Sequence, residues 1–127
     1  ALNVAQWLSA DPRVSWVSFP GLEGNKYHAL AEKYMPNGTC GVISFGVPGG
    51  REKVSAFLDH LKMVSIATHV ADARSCTLYP AGTTHRQLTE EQLIEAGVGI
   101  DLVRLSCGIE NADDIIADLD QALAAVQ

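Results

Sequence analysis

A chain of 127 residues, 47% of them hydrophobic, is the size of one domain and long enough to bury a core. Its formal net charge of −6 argues against nucleic acid as a partner, which needs clustered Lys and Arg, and no basic amphipathic stretch points to a membrane surface. No apolar run approaches the ~20 residues that span a bilayer, and the start lacks the layout of a signal peptide.

Taken in order, Asn3 to Ala10 places Val4, Trp7 and Leu8 on one face at helical spacing. The chain opens at Ala1 within that helix, as a clipped Met or a fragment of a longer protein would. Asp11-Pro12 ends the helix, because the residue before proline is pushed out of the α region. Val14 to Phe19 mixes β-branched and aromatic residues and predicts a strand. Asn25 is placed to cap a helix to Tyr34 with Tyr27, Leu30, Ala31 and Tyr34 on its inner side. After the turn Pro36-Asn37-Gly38, the short apolar run Cys40 to Val47 predicts a buried strand. Pro48-Gly49-Gly50 leads into a helix over 51–61, with Val54, Phe57, Leu58 and Leu61 inward.

Lys62 to Ala67 predicts a short strand, Thr68 to Arg74 a loop with Asp72 available for local capping, and Ser75 to Tyr79 another strand, stopped by Pro80. A polar loop, Ala81 to His85, follows. Thr89-Glu90-Glu91-Gln92 is a capping box, in which the Thr hydroxyl and the Gln side chain each satisfy the other's free amide. Its helix runs to Ala96, with Gly97 as the left-handed stop. Asp101 to Ser106 predicts the last strand. Asn111 caps a final helix with the apolar stripe Ile115, Leu119, Ala122 and Leu123. About five strands alternating with about five helices imply one α/β domain, helices packed on a mixed or antiparallel sheet. Trp7, Trp16, Phe19 and Met63 are expected in the core or at an interface. The cysteines Cys40, Cys76 and Cys107 form no C-x-x-C pair, so neither zinc nor a disulfide framework is expected; each reads as a small buried hydrophobe, and a reducing, cytoplasmic setting fits.

Within the last strand one residue stands out. Arg104 lies between Val103 and Leu105, and a guanidinium there is costly unless an anion meets it. Its planar fork of donors suits a carboxylate. Two readings stay open on these residues alone: a clamp for the carboxylate of a small acid such as an amino acid, or an ion pair to an internal Asp or Glu. The other constellations are thin. Gly46-Val47-Pro48-Gly49-Gly50 matches neither G-x-x-x-x-G-K-[ST] nor G-x-G-x-x-G and reads as a plain turn. No G-x-S-x-G occurs, and His28, His60, His69 and His85 lack the i, i+4 pairing of a helical metal site. The acidic run from Glu110 to Asp114 suits a helix start. A carboxylate clamp without nucleophile, base or cofactor handle is an incomplete active site.

Several stretches together resemble a known family. They are Val17-Ser18-Phe19-Pro20-Gly21-Leu22-Glu23, Gly41-Val42-Ile43-Ser44-Phe45-Gly46, Pro80-Ala81-Gly82-Thr83-Thr84-His85, Leu102-Val103-Arg104-Leu105-Ser106-Cys107-Gly108-Ile109-Glu110, and the helix over 113–119. They are similar to the Cys/Met metabolism (transsulfuration) enzymes that depend on pyridoxal 5′-phosphate, and the segment from Thr68 to Thr84 most resembles the O-acetylhomoserine sulfhydrylase branch.

The resemblance implies that residues 1–127 are the small C-terminal domain of the aspartate aminotransferase-like fold. The large domain, with the Schiff-base lysine and the phosphate cup, would then lie outside this chain, so Lys26, Lys33, Lys53 and Lys62 inherit no catalytic role. It implies that Arg104 binds the substrate α-carboxylate, that Ser65 in Val64-Ser65-Ile66 helps hold it, and that Thr84 borders the site. It implies the cofactor pyridoxal phosphate, an O-acetylhomoserine-like amino-acid substrate, a role in methionine and homocysteine biosynthesis by γ-replacement, and a homo-oligomeric parent. His69 departs from the branch pattern, which expects Asn, and this leaves O-succinylhomoserine sulfhydrylase and the cystathionine γ-synthase or γ-lyase activities as alternatives. A stand-alone amino-acid-binding module and a purely structural domain are the competing readings of another class.

Overall fold

The computed structural model describes residues 1–127. In chain order the elements are α1 (Leu2–Ala10), β1 (Val17–Ser18), α2 (His28–Tyr34), β2 (Val42–Gly46), α3 (Gly50–Asp59), β3 (Ser65–Ile66), β4 (Cys76–Leu78), a 3₁₀ turn (Pro80–Gly82), α4 (Glu90–Glu95), β5 (Leu102–Ser106) and α5 (Ala112–Ala125). The five strands form one sheet in the order β1-β2-β5-β4-β3. All neighbours are antiparallel except β3 and β4, so the sheet is mixed, as the sequence leads one to expect. No helix is long and apolar enough to cross a membrane.

Strand alternation sorts the sheet into two unlike faces. Ile43 and Phe45 of β2 and Val103 and Leu105 of β5 are fully buried. They share one core with Val4 and Leu8 of α1, Val54 and Phe57 of α3, and Ile115, Leu119, Ala122 and Leu123 of α5. Phe45 and Phe57 meet edge to face, with ring centroids 6.1 Å apart. The three longer helices therefore lie on one face. The residues between, Val42, Ser44 and Gly46 on β2 and Leu102, Arg104 and Ser106 on β5, point to the other face, which carries no helix.

Local chemistry explains the ends of α4 and the start of α5. Thr89 and Gln92 form the reciprocal capping box of α4, and Gly97 follows it at φ 71°. The Asn111 side chain accepts from the Asp113 amide and starts α5. Asp72 accepts from the Arg74 amide, a local cap within the loop.

Other expectations are corrected. The strand expected over 14–19 shrinks to Val17–Ser18, because Ser15 and Trp16 both bond Gly46, two residues against one, which breaks regular pairing. Asn25 caps only a turn, accepting from Tyr27, and α2 begins at His28. Of the inner face expected for α2 only Ala31 is buried; Tyr27, Leu30 and Tyr34 are exposed, since nothing in this chain packs over them. Trp16 and Met63 are part-exposed at 36% each rather than core, and Cys40 is exposed. Trp16 instead donates its indole N–H to Asp101 at 2.8 Å, on the helix-free side, where Gly46 leaves room for it.

Candidate functional site

The centre of the helix-free face is Arg104. It sits on β5, the middle strand, opposite Ser44 of β2 on one side and Leu78 of β4 on the other. The strand's alternation that buries Val103 and Leu105 forces Arg104 outward here, so the isolated charge in an apolar strand costs the core nothing. The internal ion pair does not form. The ion pairs of the chain join Arg13 to Asp11 and Asp120, and Arg74 to Asp72; His28 lies 3.5 Å from Glu32, and none of these contacts includes Arg104.

Arg104 is instead held by backbone. The loop between β3 and β4 folds over the face, and Arg104 Nη2 donates to the carbonyls of Thr68 (3.0 Å) and His69 (3.4 Å). Its Nε is buried and has no acceptor. A buried donor left unpaired costs about 1–3 kcal/mol, more when charged, so such an orphan calls for a partner from outside the chain, a water, an ion or a ligand. The acceptor that suits a guanidinium edge is a carboxylate.

Ser65 lies on the same face. It pairs with Cys76, which pairs with Ser106, so all three point to the Arg104 side. Two strand spacings across and two residues along, roughly 12 Å between backbones, separate it from Arg104. Thr84 shares no hydrogen bond with either: its hydroxyl meets His85 Nδ1 at 2.8 Å on the exposed loop past the 3₁₀ turn. His85 bonds Thr84 and, through its amide, the Pro80 carbonyl, with no bond to β5. None of the three surface cavities is lined by Arg104, Ser65 or Thr84; one of about 490 Å3 is bounded by Phe19, His28, Glu32 and Cys40. Arg104 lies beneath the loop over 67–74 and lines none of these cavities.

Three supporting groups escape a reading of local sequence. Asp118 is 6% exposed and accepts from the amides of Lys62, Met63 and Val64 at 2.8–2.9 Å, which sets the approach to β3 and hence Ser65. Burial pushes its carboxyl up, but the three backbone donors and Gln121 outweigh this and hold it below its ordinary value. The signal was available: an acid on the apolar stripe of α5, one residue before Leu119. Glu110 accepts from the Ser75 amide (2.7 Å) and hydroxyl (2.8 Å), while the Gly108 amide donates to the same hydroxyl (2.9 Å). Burial again works against the charge and the Ser75 donors prevail, so Glu110 too is held low. Ser106, only 1% exposed, accepts from the Ala71 amide at 3.1 Å. No spacing rule marks a serine in a strand for that task.

Comparisons with known proteins bear on the family and the fold. A family model described as Cys/Met metabolism PLP-dependent enzyme matches residues 1–124. The chain is 48% identical over 123 residues to a homocysteine synthase of Schizosaccharomyces pombe, covering 97% of this chain and 29% of that protein. It is 45% identical over 124 residues to an O-acetyl-L-homoserine sulfhydrylase of Leptospira meyeri, covering 97% and 28%. A crystal structure of a putative O-acetylhomoserine (thiol)-lyase from Campylobacter jejuni, with a pyridoxyl-lysine phosphate, superposes with a TM-score of 0.87 at 39% identity, over 96% of this chain and 29% of that one. The chain thus spans less than a third of the length of these relatives.

The family's cofactor is pyridoxal phosphate, and the residues present do not fit the task of holding it. Lys26 and Lys33 reach over the exposed rings of Tyr27 and Tyr34, at 4.8 and 5.1 Å, Lys62 is exposed, and Lys53 lies along Gly49. The orphaned donor is a guanidinium, which pairs with oxyanions such as a carboxylate and cannot form the lysine's imine with the cofactor's aldehyde. A two-layer α/β fold shared with the Campylobacter jejuni structure and a family match over residues 1–124 point one way: this chain belongs to the Cys/Met metabolism PLP-dependent enzymes.

Proposed function

We propose that residues 1–127 form the C-terminal, substrate-carboxylate-binding domain of an O-acetylhomoserine sulfhydrylase, which replaces acetate at the γ-carbon with a sulfur nucleophile on the way to homocysteine and methionine. The observation that carries this is the unpaired Nε of Arg104, buried beside an Nη2 already fixed by two carbonyls. In this reading Arg104 receives the α-carboxylate, Ser65 adds a hydroxyl from the same face, and Thr84 lies at the border. Pyridoxal phosphate, when bound by a large domain beyond these residues, supplies the electron sink for carbanions. The domain described here contributes orientation: a carboxylate fixed on a rigid strand sets the rest of the substrate at one distance and angle. The similarity to O-acetyl-L-homoserine sulfhydrylases supports the acetyl substrate over the succinyl and cystathionine alternatives. The net charge of −6 supports a protein without a nucleic-acid partner, and the exposed apolar side of α2 supports a homo-oligomer; we place it in the cytoplasm.

The test uses the full-length protein. Arg104→Ala is expected to lower kcat/KM for O-acetylhomoserine roughly 100-fold, mostly through KM, as loss of a forked charge pair does. Arg104→Lys recovers little of this, because an ammonium cannot offer two parallel donors. Unchanged kinetics in Arg104→Ala would remove the clamp.

A further inference from the structure

The fixing of Arg104 depends on a loop that must itself be fixed. The segment over 67–74 crosses the helix-free face without secondary structure, and at Ala71 its backbone takes φ 58°, a left-handed conformation that a residue with a Cβ adopts reluctantly. Such a turn needs an external tether. The Ala71 amide finds one in the hydroxyl of Ser106, at 3.1 Å. Ser106 is 1% exposed and lies two residues beyond Arg104 on the same strand and face. One strand therefore holds the loop at two points: Arg104 takes the carbonyls of Thr68 and His69, and Ser106 takes the amide of Ala71. The loop's far end is tied separately, by the Ile109 amide to the Ala73 carbonyl at 3.0 Å and by the Ser75–Glu110 bonds.

We infer that Ser106 is a positioning residue for Arg104, acting through the 68–71 bracket. The inference rests on the proposed carboxylate clamp. A buried serine on this strand makes no other hydrogen bond with its side chain than the one to Ala71. With that bond in place the two carbonyls hold Nη2, the guanidinium plane is set before ligand arrives, and Nε is left buried without an acceptor in the chain. Without it the left-handed turn relaxes, the carbonyls withdraw, and Arg104 gains rotamers that must be frozen again on binding. The cost falls on recognition of the carboxylate and not on groups further along the substrate.

The experiment is a double-mutant cycle in the full-length enzyme with its cofactor bound, using Ser106→Ala, Arg104→Ala and the pair. Ser106→Ala is expected to raise KM for O-acetylhomoserine roughly tenfold, the worth of one hydrogen bond of this kind, with a smaller change in kcat. The inhibition constant of the matching amine, which lacks the carboxylate, stays within about twofold. In the Arg104→Ala background the Ser106→Ala effect on KM vanishes. Ser106→Thr, which keeps the hydroxyl, restores KM. An equal rise in both backgrounds, an equal loss for the amine, or no rise at all overturns the positioning role. If Arg104→Ala alone leaves KM unchanged, the clamp itself falls, and this role with it. If Ser106→Ala does not yield folded enzyme, Ser106→Cys, near in shape and weaker as an acceptor, takes its place in the cycle with the same outcomes.

Discussion

At the scale of single residues, charge in this chain is used to hold backbone. Asp118 is the clearest instance, a carboxylate on the buried side of α5 that gathers three consecutive amides from 62–64. Deleting it strands those donors at the entrance to β3. Asp118→Ala is expected to cost about 3 kcal/mol, since each bond to a charged acceptor is worth about 1.5–3 kcal/mol and the three are not additive. Urea unfolding of the two proteins measures it, and a loss under about 1 kcal/mol would mean that the amides find water instead. The pH dependence has a definite sign. The folded-state pKa of Asp118 lies below its ordinary 3.8, so its contribution is complete above that value and is lost as pH falls through the lowered one. Asp118→Asn should therefore flatten the stability curve below about pH 4 relative to the parent. Parallel curves would show that other carboxylates govern acid unfolding.

At the scale of elements, what was legible in the sequence divides by the range of the forces involved. Caps and stops are local, and Thr89–Gln92, Gly97 and Asn111 act as their residue types dictate. The β5 strand and the stripe of α5 follow from periodicity and are found as expected. The α2 face fails because periodicity records which side is apolar, not whether anything covers it, and Tyr27, Leu30 and Tyr34 remain exposed. Arg104 was conspicuous for its apolar neighbours, yet its face follows from alternation and its carbonyl bracket from a loop about 35 residues away. Ser65 came only from resemblance, and the roles of Ser106, Glu110 and Asp118 depend on long-range pairings that no spacing encodes. The loop is where this can be probed. Ala71→Val places a β-branched side chain at φ 58° and is expected to destabilise by about 1–2 kcal/mol, while Ala71→Gly stays within about 0.5 kcal/mol, because relief of strain offsets the added freedom of the unfolded chain. Chemical denaturation compares them. A Val variant as stable as the parent would mean the turn is not left-handed in solution.

At the scale of the whole molecule, the sheet order decides how rigid each part of the candidate site can be. β5 is paired along both edges, to β2 over five residues and to β4 over three, and its inner side chains are wholly buried. β1 and β3 are two-residue edge strands. Local opening should follow this gradient, since amides released only by global unfolding lie where pairing and burial coincide. Hydrogen exchange in the folded protein is therefore expected to be slowest in β2 and β5 and fast over 68–73, with the Ala71 amide an exception in its loop because Ser106 holds it. The Lys62, Met63 and Val64 amides should be protected beyond what an edge position allows, because Asp118 binds all three. If Ala71 exchanged as fast as its loop neighbours, the tether would be too weak to preset the arginine. If β5 exchanged as fast as β3, the argument from topology would fail altogether. The gradient has a functional sense. The backbone that carries Arg104 is placed where the chain resists opening most, and the adjustable part of the site is confined to a loop whose tethers can be altered one at a time. A chain arranged this way can vary what surrounds the carboxylate while the point that grips it stays where the sheet puts it.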